Sequence, residues 1–208
     1  MTSKTITKIH VNRGALEAAI EFGKNWGKTR HDGLSGVWFD GGKLYGTDGH
    51  CAIQIGESVW ANDMVNGPDE VKAGGFDRRQ FTDEELKVAI AGAKALRSTA
   101  CTLFASTDAR STAAPIGSIF TGIDRKLVAP SPEFGWDAEL LVKLAKAQKS
   151  LKMRGFRILS NKRACGSLWQ MFEGGRGASA DEDVLVASDC ADVFALVMPL
   201  RATNKKRG

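Results

Sequence analysis

GVWFDGGKLYGTDGHCAIQI, residues 36–55, consists of three short runs with strand-like residues separated by two turns that contain glycine. Asp40–Gly42 is typical of a tight turn, because glycine takes a positive φ without steric cost. Thr47–His50 is typical of a second turn, and the alternating run Ala52–Ile55 follows it. The stretch therefore predicts an antiparallel meander of three strands, with one face available for a core.

Outward from the meander, three helices are predicted from their start signals and from apolar residues at helical spacing. Asn12 is suited to cap the first helix. Thr82 and Glu85 have the spacing of a capping box at the start of the second, and Asp137 should cap the third. The predicted helices cover residues 13–26, 82–97 and 137–153.

The remaining strands are predicted from short alternating or β-branched runs. They lie at Thr5–Val11, Cys101–Ser106, Ile116–Ile123, Phe156–Leu159, Ser167–Phe172, Val184–Ala187 and Val193–Leu200. Several strands follow one another without an intervening helix, which excludes a regular parallel βαβ layout. The sequence therefore predicts an α+β fold of antiparallel sheets with helices on one face.

Length and composition narrow the class of protein. The 208 residues are enough for one large or two small domains, and a hydrophobic content of 43% suffices for a globular core. A formal net charge of +5 permits a nucleic-acid partner without requiring one. No apolar run approaches the roughly 20 residues of a membrane span, and the first residues do not have the pattern of a secretion signal. We therefore expect a cytoplasmic protein.

The titratable residues do not have the spacings of a catalytic or metal site. Asp40 and Asp48 fall in turns, and the three histidines have no cysteine or carboxylate at metal-ligand spacing. The four cysteines are far apart and form no Cys-x-x-Cys pair. No phosphate-binding loop or nucleophile elbow is recognisable. We expect a protein that is not an enzyme and that uses no metal or cofactor.

Three segments resemble motifs of a known family: the Thr47–His50 turn described above, Leu127–Pro130 and Val197–Arg201. In this order they resemble three marks of bacterial sliding clamps, the β subunit of the replicative DNA polymerase. In that family the first mark closes a strand pair in the middle domain, the second ends that domain, and the third ends the chain. The predicted helix at 137–153 is similar to the family's last helix. The short length would suit a clamp encoded by a virus such as a phage.

The resemblance implies a DNA-clamp-like fold and a processivity factor, a ring around duplex DNA that holds the polymerase on its template. Each family domain has two helices, so three helices imply a complete clamp-like domain at residues 1–130, which resembles the middle domain, and a shortened second one at residues 131–208. Six domain equivalents close the family's ring, so a two-domain chain would close as a homotrimer. The alternative is a clamp-derived interaction protein that forms no ring and binds or competes for replisome partners.

The resemblance also implies a groove between the two domains that binds linear motifs of the polymerase, the clamp loader and other clamp-motif proteins. Its lining in this chain would comprise Thr47, Gly49, His50, Ala52, Pro130, Val197, Met198, Pro199, Leu200 and Arg201. Methionine offers an apolar surface that adapts to varied ligands. Cys51 and Ala52 stand where the family has arginine and leucine, which implies a shallower pocket on that side. The structural alternative is that Met198 and Pro199 end a core strand.

Finally, the resemblance implies that basic residues on the helices face double-stranded DNA without reading its sequence. The candidates are Lys24, Lys87, Lys94, Arg97, Lys143, Lys146, Lys149 and Lys152. A spacing of three keeps Lys143 and Lys146 on one face. Because the direction drifts by about 60° per step, the four lysines of the third helix cannot all point one way. A solvated helix face is the alternative interpretation.

Overall fold

The structure, a computed structural model, describes residues 6–24, 35–61, 78–106, 116–120, 138–159, 167–172 and 190–197. The strands of this part are β1 (Ile6–Asn12), β2 (Gly36–Asp40), β3 (Lys43–Thr47), β4 (Cys51–Ile55), β5 (Arg79–Phe81), β6 (Ala100–Ser106), β7 (Gly155–Leu159), β8 (Ser167–Phe172) and β9 (Cys190–Val197). Its helices are α1 (Arg13–Gly23), α2 (Glu57–Trp60), α3 (Asp83–Ala95) and α4 (Ala138–Ser150), together with a 3₁₀ helix at Ile116–Phe120. The strand predicted at Val184–Ala187 lies outside the described residues.

Seven of these strands form one antiparallel sheet in the order β5–β2–β3–β4–β9–β8–β7, and β1 pairs with β6 in a separate antiparallel sheet. The predicted meander forms β2, β3 and β4. In the first turn Gly41 and Gly42 have φ of 56° and 77°. Positive φ at both positions is typical of the hairpin turn whose twist matches that of the strands. The combination of helices with antiparallel sheets confirms the predicted α+β fold.

The starts of α1 and α3 are capped as predicted. The Asn12 side chain accepts a hydrogen bond from the Gly14 N–H at 2.9 Å. At α3, the Thr82 hydroxyl accepts from the Glu85 N–H, and the Glu85 carboxylate accepts from the Thr82 N–H in return. These bonds satisfy backbone donors that a helix start otherwise leaves without a partner. Local side-chain chemistry therefore fixes where both helices begin.

The large sheet consists of two halves with the same order of elements. The first is α1 followed by β2, β3 and β4, and the second is α4 followed by β7, β8 and β9. Their last strands pair antiparallel at the centre of the sheet, where Ile53 lies opposite Ala195. The strands β1 and β6, each of which precedes the helix of its half, also pair antiparallel. The topology is therefore pseudo-twofold symmetric: a twofold rotation about an axis between β4 and β9 exchanges the two halves.

Alternate residues of the sheet face the helices and form the main core. A single buried cluster on this face includes Phe22 of α1, Ile53 of β4, Leu144 of α4 and Ala195 of β9. The helices α1 and α4 pack side by side over it. Because α1 and α4 come from different halves of the chain, both halves contribute to one core.

The opposite face of the sheet buries Trp38 and Tyr45 against the 3₁₀ helix. The prediction of a strand at Ile116–Ile123 is wrong for its described part. Ile116 and Phe120 both pack against the buried Trp38 and Tyr45. Four residues rise about 8 Å in a 3₁₀ helix and about 13 Å in a strand, so the helical turn keeps both side chains closer to this cluster. Burial of these two residues favours the helical turn over strand pairing.

The predicted boundary at residue 130 is also wrong for the described residues. Strand β9 lies between β4 and β8 in one continuous sheet, and the buried cluster contains residues from both predicted domains. Each half alone would leave one long side of its inner strand, β4 or β9, without a hydrogen-bonding neighbour, and pairing them removes both open edges. The described residues therefore form one unit, in which the helices of the two halves, α1 and α4, share one core.

The pair β5 and α3 is an addition to this unit. β5 extends the large sheet beyond β2, and α3 packs against β6 and α1. The Arg79 guanidinium donates to the Phe104 carbonyl oxygen and to the Glu85 carboxylate, which ties β5 to β6 and α3. As a result α1 contacts both α3 and α4. No helix in the described ranges is long and apolar enough to cross a membrane.

Candidate functional site

The turn between β3 and β4 is held by its own side chains. The Asp48 Oδ1 atom accepts from the N–H groups of His50 and Cys51 at 2.8 and 2.9 Å. The Thr47 hydroxyl donates to the Cys51 carbonyl oxygen at 2.8 Å and accepts from the Gly49 N–H at 3.1 Å. Gly49 has φ of 89°, a value that side chains with a Cβ rarely adopt. The Thr-Asp-Gly sequence is thus accounted for by the local geometry of the turn.

The second oxygen of Asp48 forms a buried ion pair with Lys143 of α4. Lys143 Nζ lies 2.5 Å from Asp48 Oδ2 and donates a further bond to the Lys24 carbonyl oxygen at 3.1 Å. The two side chains are 2% and 0% exposed. Our prediction that Lys143 faces DNA is therefore wrong. Its position on α4 explains this, because Lys143 lies on the same buried face as Leu140, Leu144 and Ala147.

Burial alone would raise the pKa of Asp48, but its hydrogen bonds and the neighbouring positive charge have the larger combined effect. Lys143 and the N–H groups of Cys51 and His50 donate to the carboxylate, and the pKa of Asp48 is lower than its ordinary value. Burial, followed by the adjacent Asp48 charge, raises the pKa of the Cys51 thiol. A protonated, buried thiol is a poor nucleophile, so this constellation is structural.

The turn lies beside the end of β9, since Cys51 pairs with Val197 and Ala52 with Leu196. The side chains of Thr47, Ala52 and Val197 are buried here, so the prediction that they line an open peptide groove is wrong for the described state. All three belong to central strands of the large sheet: Val197 packs in the core on the helix side, whereas Thr47 and Ala52, which lie opposite each other, face the other side. His50 is exposed and Gly49 partly so. The predicted lining residues Pro130, Met198, Pro199, Leu200 and Arg201 lie outside the described residues.

Three helices surround a cavity of about 700 Å³ that is open to solvent, which we call the three-helix groove. Its apolar floor consists of Ile20 from α1 and Leu86 and Ile90 from α3. Five of the predicted DNA-binding residues line it: Lys24, Lys87, Lys94, Lys146 and Lys149. Helices that are far apart in the chain therefore place these lysines around one opening. The groove is the strongest candidate site among the described residues.

Glu21 partly neutralises one side of the three-helix groove. Its carboxylate accepts from Lys24 Nζ at 2.6 Å and from Lys146 Nζ at 2.8 Å. Burial alone would raise the pKa of Glu21, but the bonds from Lys146 and Lys24 and their charges lower it. Both lysines are 58% exposed, so they remain available to a ligand in solvent. Lys24 is only three residues from Glu21, but the contact of Glu21 with Lys146 depends on how α1 packs against α4 and is not visible in the spacing of one helix.

The remaining two candidates, Arg97 and Lys152, lie just beyond the ends of α3 and α4. They have φ of 51° and 57°, in the left-handed region. The next residue in each case closes the helix, with Ser98 N–H donating to the Ala93 carbonyl at 2.8 Å and Met153 N–H to that of Gln148 at 3.0 Å. Glycine is the usual residue at this position. Both exposed basic residues therefore occupy strained positions where their charge suits the helix dipole.

Replacing Arg97 or Lys152 with glycine should therefore raise the free energy of unfolding, by about 1 kcal/mol for each position. Glycine relieves the close contact between Cβ and the backbone. The stability gained in this way should exceed the stability lost with a solvated charge at the helix end. Urea denaturation of Arg97→Gly and Lys152→Gly measures the gain. The alanine variants at the same positions retain a Cβ and should gain less than half as much, whereas equal stability of glycine and alanine variants would contradict the argument.

The described residues contain no group of three or more histidine, cysteine, aspartate or glutamate side chains arranged to hold a metal. The three-helix groove combines a rim of lysines with an apolar floor. Compared with protein-family models, with curated proteins and with solved structures, the chain matches none of them.

Proposed function

We propose that this chain is a non-enzymatic, clamp-like DNA-binding protein that acts in the cytoplasm as a processivity factor for a DNA polymerase. The observation that carries the proposal is the convergence of five lysines, chosen from the sequence, on one groove lined by α1, α3 and α4. The unit of two sheet-packed helices and the position of the Thr47–His50 turn beside β9 agree with the resemblance to bacterial clamps.

The chemistry of the groove rim suits the phosphates of a duplex. Lysine is a flexible point charge that neutralises phosphates without selecting a base. A duplex is too wide to enter a groove between packed helices, whose axes lie about 8–10 Å apart. Its phosphates would therefore contact the ends of the lysines at the rim. Binding should be independent of sequence and should weaken steeply with salt.

Substitution of three rim lysines tests this proposal. In Lys87→Gln/Lys94→Gln/Lys149→Gln, the slope of log K against log salt concentration should fall in magnitude by about 3, because each lost phosphate contact removes about 1. Fluorescence anisotropy with a labelled duplex over a salt series measures the slope. Lys8→Gln is the matched control, since Lys8 is exposed on β1 and does not line the groove. Equal slopes for the triple variant and the control would overturn the proposal.

The number of copies in a ring follows from the corrected domain count. The family's ring has six domain equivalents, and the described residues form one unit in place of the two predicted domains. A homo-oligomeric ring would therefore take six copies, and a trimer is no longer expected. Light scattering, together with loading onto a nicked DNA circle, distinguishes such a ring from smaller assemblies.

A second candidate function is that of a clamp-derived interaction protein without a ring. The observation that favours it is the seam at which the turn meets β9, where His50 is exposed and Gly49 partly exposed, and where Val197 directly precedes the predicted Met198–Arg201 segment. Such a protein would bind or compete for the motif that a polymerase or clamp loader presents to a clamp. A monomer that binds a clamp-motif peptide and does not stay on a nicked circle would favour this candidate over the first.

A further inference from the structure

The floor of the three-helix groove is not explained by DNA binding. Leu86 is buried there, and Ile20 and Ile90 are partly exposed between the lysines. Phosphates need the charged rim alone, and a duplex is too wide to reach an apolar surface recessed between helices. An apolar floor beneath a charged rim is typical of a surface that binds a ligand with one apolar and one charged side.

The groove is long as well as apolar. Its lining residues extend from Glu17 to Lys24 on α1, about 10 Å along the helix axis, and from Asp83 to Lys94 on α3, about 16 Å. That length corresponds to two or three turns of another helix. Lys87 and Lys94 stand two turns apart on α3, so the positive charges follow the length of the groove instead of meeting at one point. The shape suits an elongated ligand better than a small anion.

The charge balance of the rim selects the charge of the ligand. Five lysines line the groove, against the three carboxylates of Glu17, Glu21 and Asp83. Two of these carboxylates already have cationic partners. Glu21 bonds to Lys24 and Lys146, and Glu17 lies 3.8 Å from the Arg13 guanidinium. Lys87, Lys94 and Lys149 outnumber the third carboxylate, Asp83, and therefore favour a negatively charged partner. The apolar floor requires that this partner also present apolar side chains.

We propose that the three-helix groove binds an acidic amphipathic α-helix of a partner protein. The apolar side of this helix would pack on Ile20, Leu86 and Ile90, and its carboxylates would pair with the lysines of the rim. Because DNA and the helix would use the same lysines, they compete for this face. The competition rests on the proposed DNA binding, whereas the helix site itself does not.

Two tryptophan variants on α3 test the site in the full-length chain. Ala91 and Ala95 are both exposed, but only Ala91 lines the groove, so Ala91→Trp fills it and Ala95→Trp serves as the matched control. The probe is a labelled helical peptide of about 16 residues, with leucines at spacings of three and four and glutamates elsewhere. A scrambled peptide of the same composition separates amphipathic binding from charge attraction.

The unmodified protein should bind the amphipathic peptide about tenfold more tightly than the scrambled one. Ala91→Trp should weaken that binding about tenfold and Ala95→Trp less than about twofold. Duplex binding by Ala95→Trp should stay within about twofold, since this variant changes neither the groove nor its rim lysines. Equal affinity for the two peptides, or equal effects of the two variants, would overturn the helix site. If the peptide binds as expected and the duplex does not bind, the helix site stands and the proposed DNA function fails.

Discussion

Replacing Lys143 with methionine should lower the free energy of unfolding by about 3–5 kcal/mol, because it leaves the Asp48 carboxylate buried without its cationic partner. Asp48 Oδ2 lies 2.5 Å from Lys143 Nζ, and both side chains are almost fully shielded from water. The variant also loses the bond from Lys143 to the Lys24 carbonyl oxygen at the end of α1. Urea denaturation followed by circular dichroism measures the loss.

The double variant Asp48→Asn/Lys143→Met is the control for this prediction. Asparagine retains an oxygen that accepts from the N–H groups of His50 and Cys51, so the turn should keep its geometry. With both charges removed, most of the stability should return, to within about 1–2 kcal/mol of the original protein. A double variant as unstable as the sum of the two single variants would show that the buried charge is not the cause.

The same pair predicts how stability depends on pH. The pKa of Asp48 is lower in the folded protein than in the unfolded chain, where it is about 3.9. The unfolded chain therefore takes up this proton first as the pH falls. The stabilisation is present above the unfolded pKa and is lost as the pH falls through the folded one. Acid unfolding of the double variant should accordingly show a shallower loss of stability below about pH 4.

The elements that the sequence predicted correctly are those fixed by neighbouring residues. Asn12 and the Thr82–Glu85 pair bond to amides within three positions, and Gly41 and Gly42 set the first hairpin by their own conformations. Such signals are complete within a few residues of chain. The meander, the capped starts of α1 and α3 and the α+β class could therefore be predicted without knowledge of the tertiary structure, whereas the predicted cap of the third helix, Asp137, lies outside the described residues.

The errors concern contacts between distant parts of the chain. Spacing placed Lys143 in a series of solvent-facing lysines, but its partner Asp48 lies 95 residues away. One local signal was available, because Lys143 follows Leu140 and precedes Leu144 and Ala147 within the apolar stripe of α4. The domain boundary failed for a similar reason, since the pairing of β4 with β9 depends on the register of two strands more than 130 residues apart.

The candidate site was predicted as a set of residues without its shape. Five lysines could be chosen from helix faces, and they do line one groove. Glu21, which bonds to two of them, and the floor of Ile20 and Ile90 depend on how α1 meets α3 and α4. The angle and offset between helices arise from packing, which single-helix periodicity does not contain.

Gly46 permits a close approach of α1 to β3. Gly46 of β3 lies opposite Ile53 of β4 in the first half of the sheet. Trp169 of β8 lies opposite Ala195 of β9 in the second half, so Gly46 and Trp169 occupy corresponding positions. A Cβ at Gly46 would overlap the Ala19 carbonyl oxygen of α1. The backbones of helix and strand therefore touch at this point. A bulky indole fills the corresponding place in the second half, where Trp169 belongs to the buried cluster.

Gly46→Ala should consequently lower the free energy of unfolding by about 3 kcal/mol, the upper end of the range typical of overpacking. The added methyl group meets backbone atoms of α1, which cannot rotate away as a side chain can, so the whole helix must shift from β3.

Gly92→Ala in α3 is the matched control, because a Cβ there meets nothing within 4 Å. Its helical position should make it more stable by about 0.5–1 kcal/mol. Urea denaturation of both variants measures the contrast, and small effects of the same sign at both positions would contradict direct backbone contact between α1 and β3. Since α1 also carries Ile20, Glu21 and Lys24, a shifted helix should weaken binding at the three-helix groove as well.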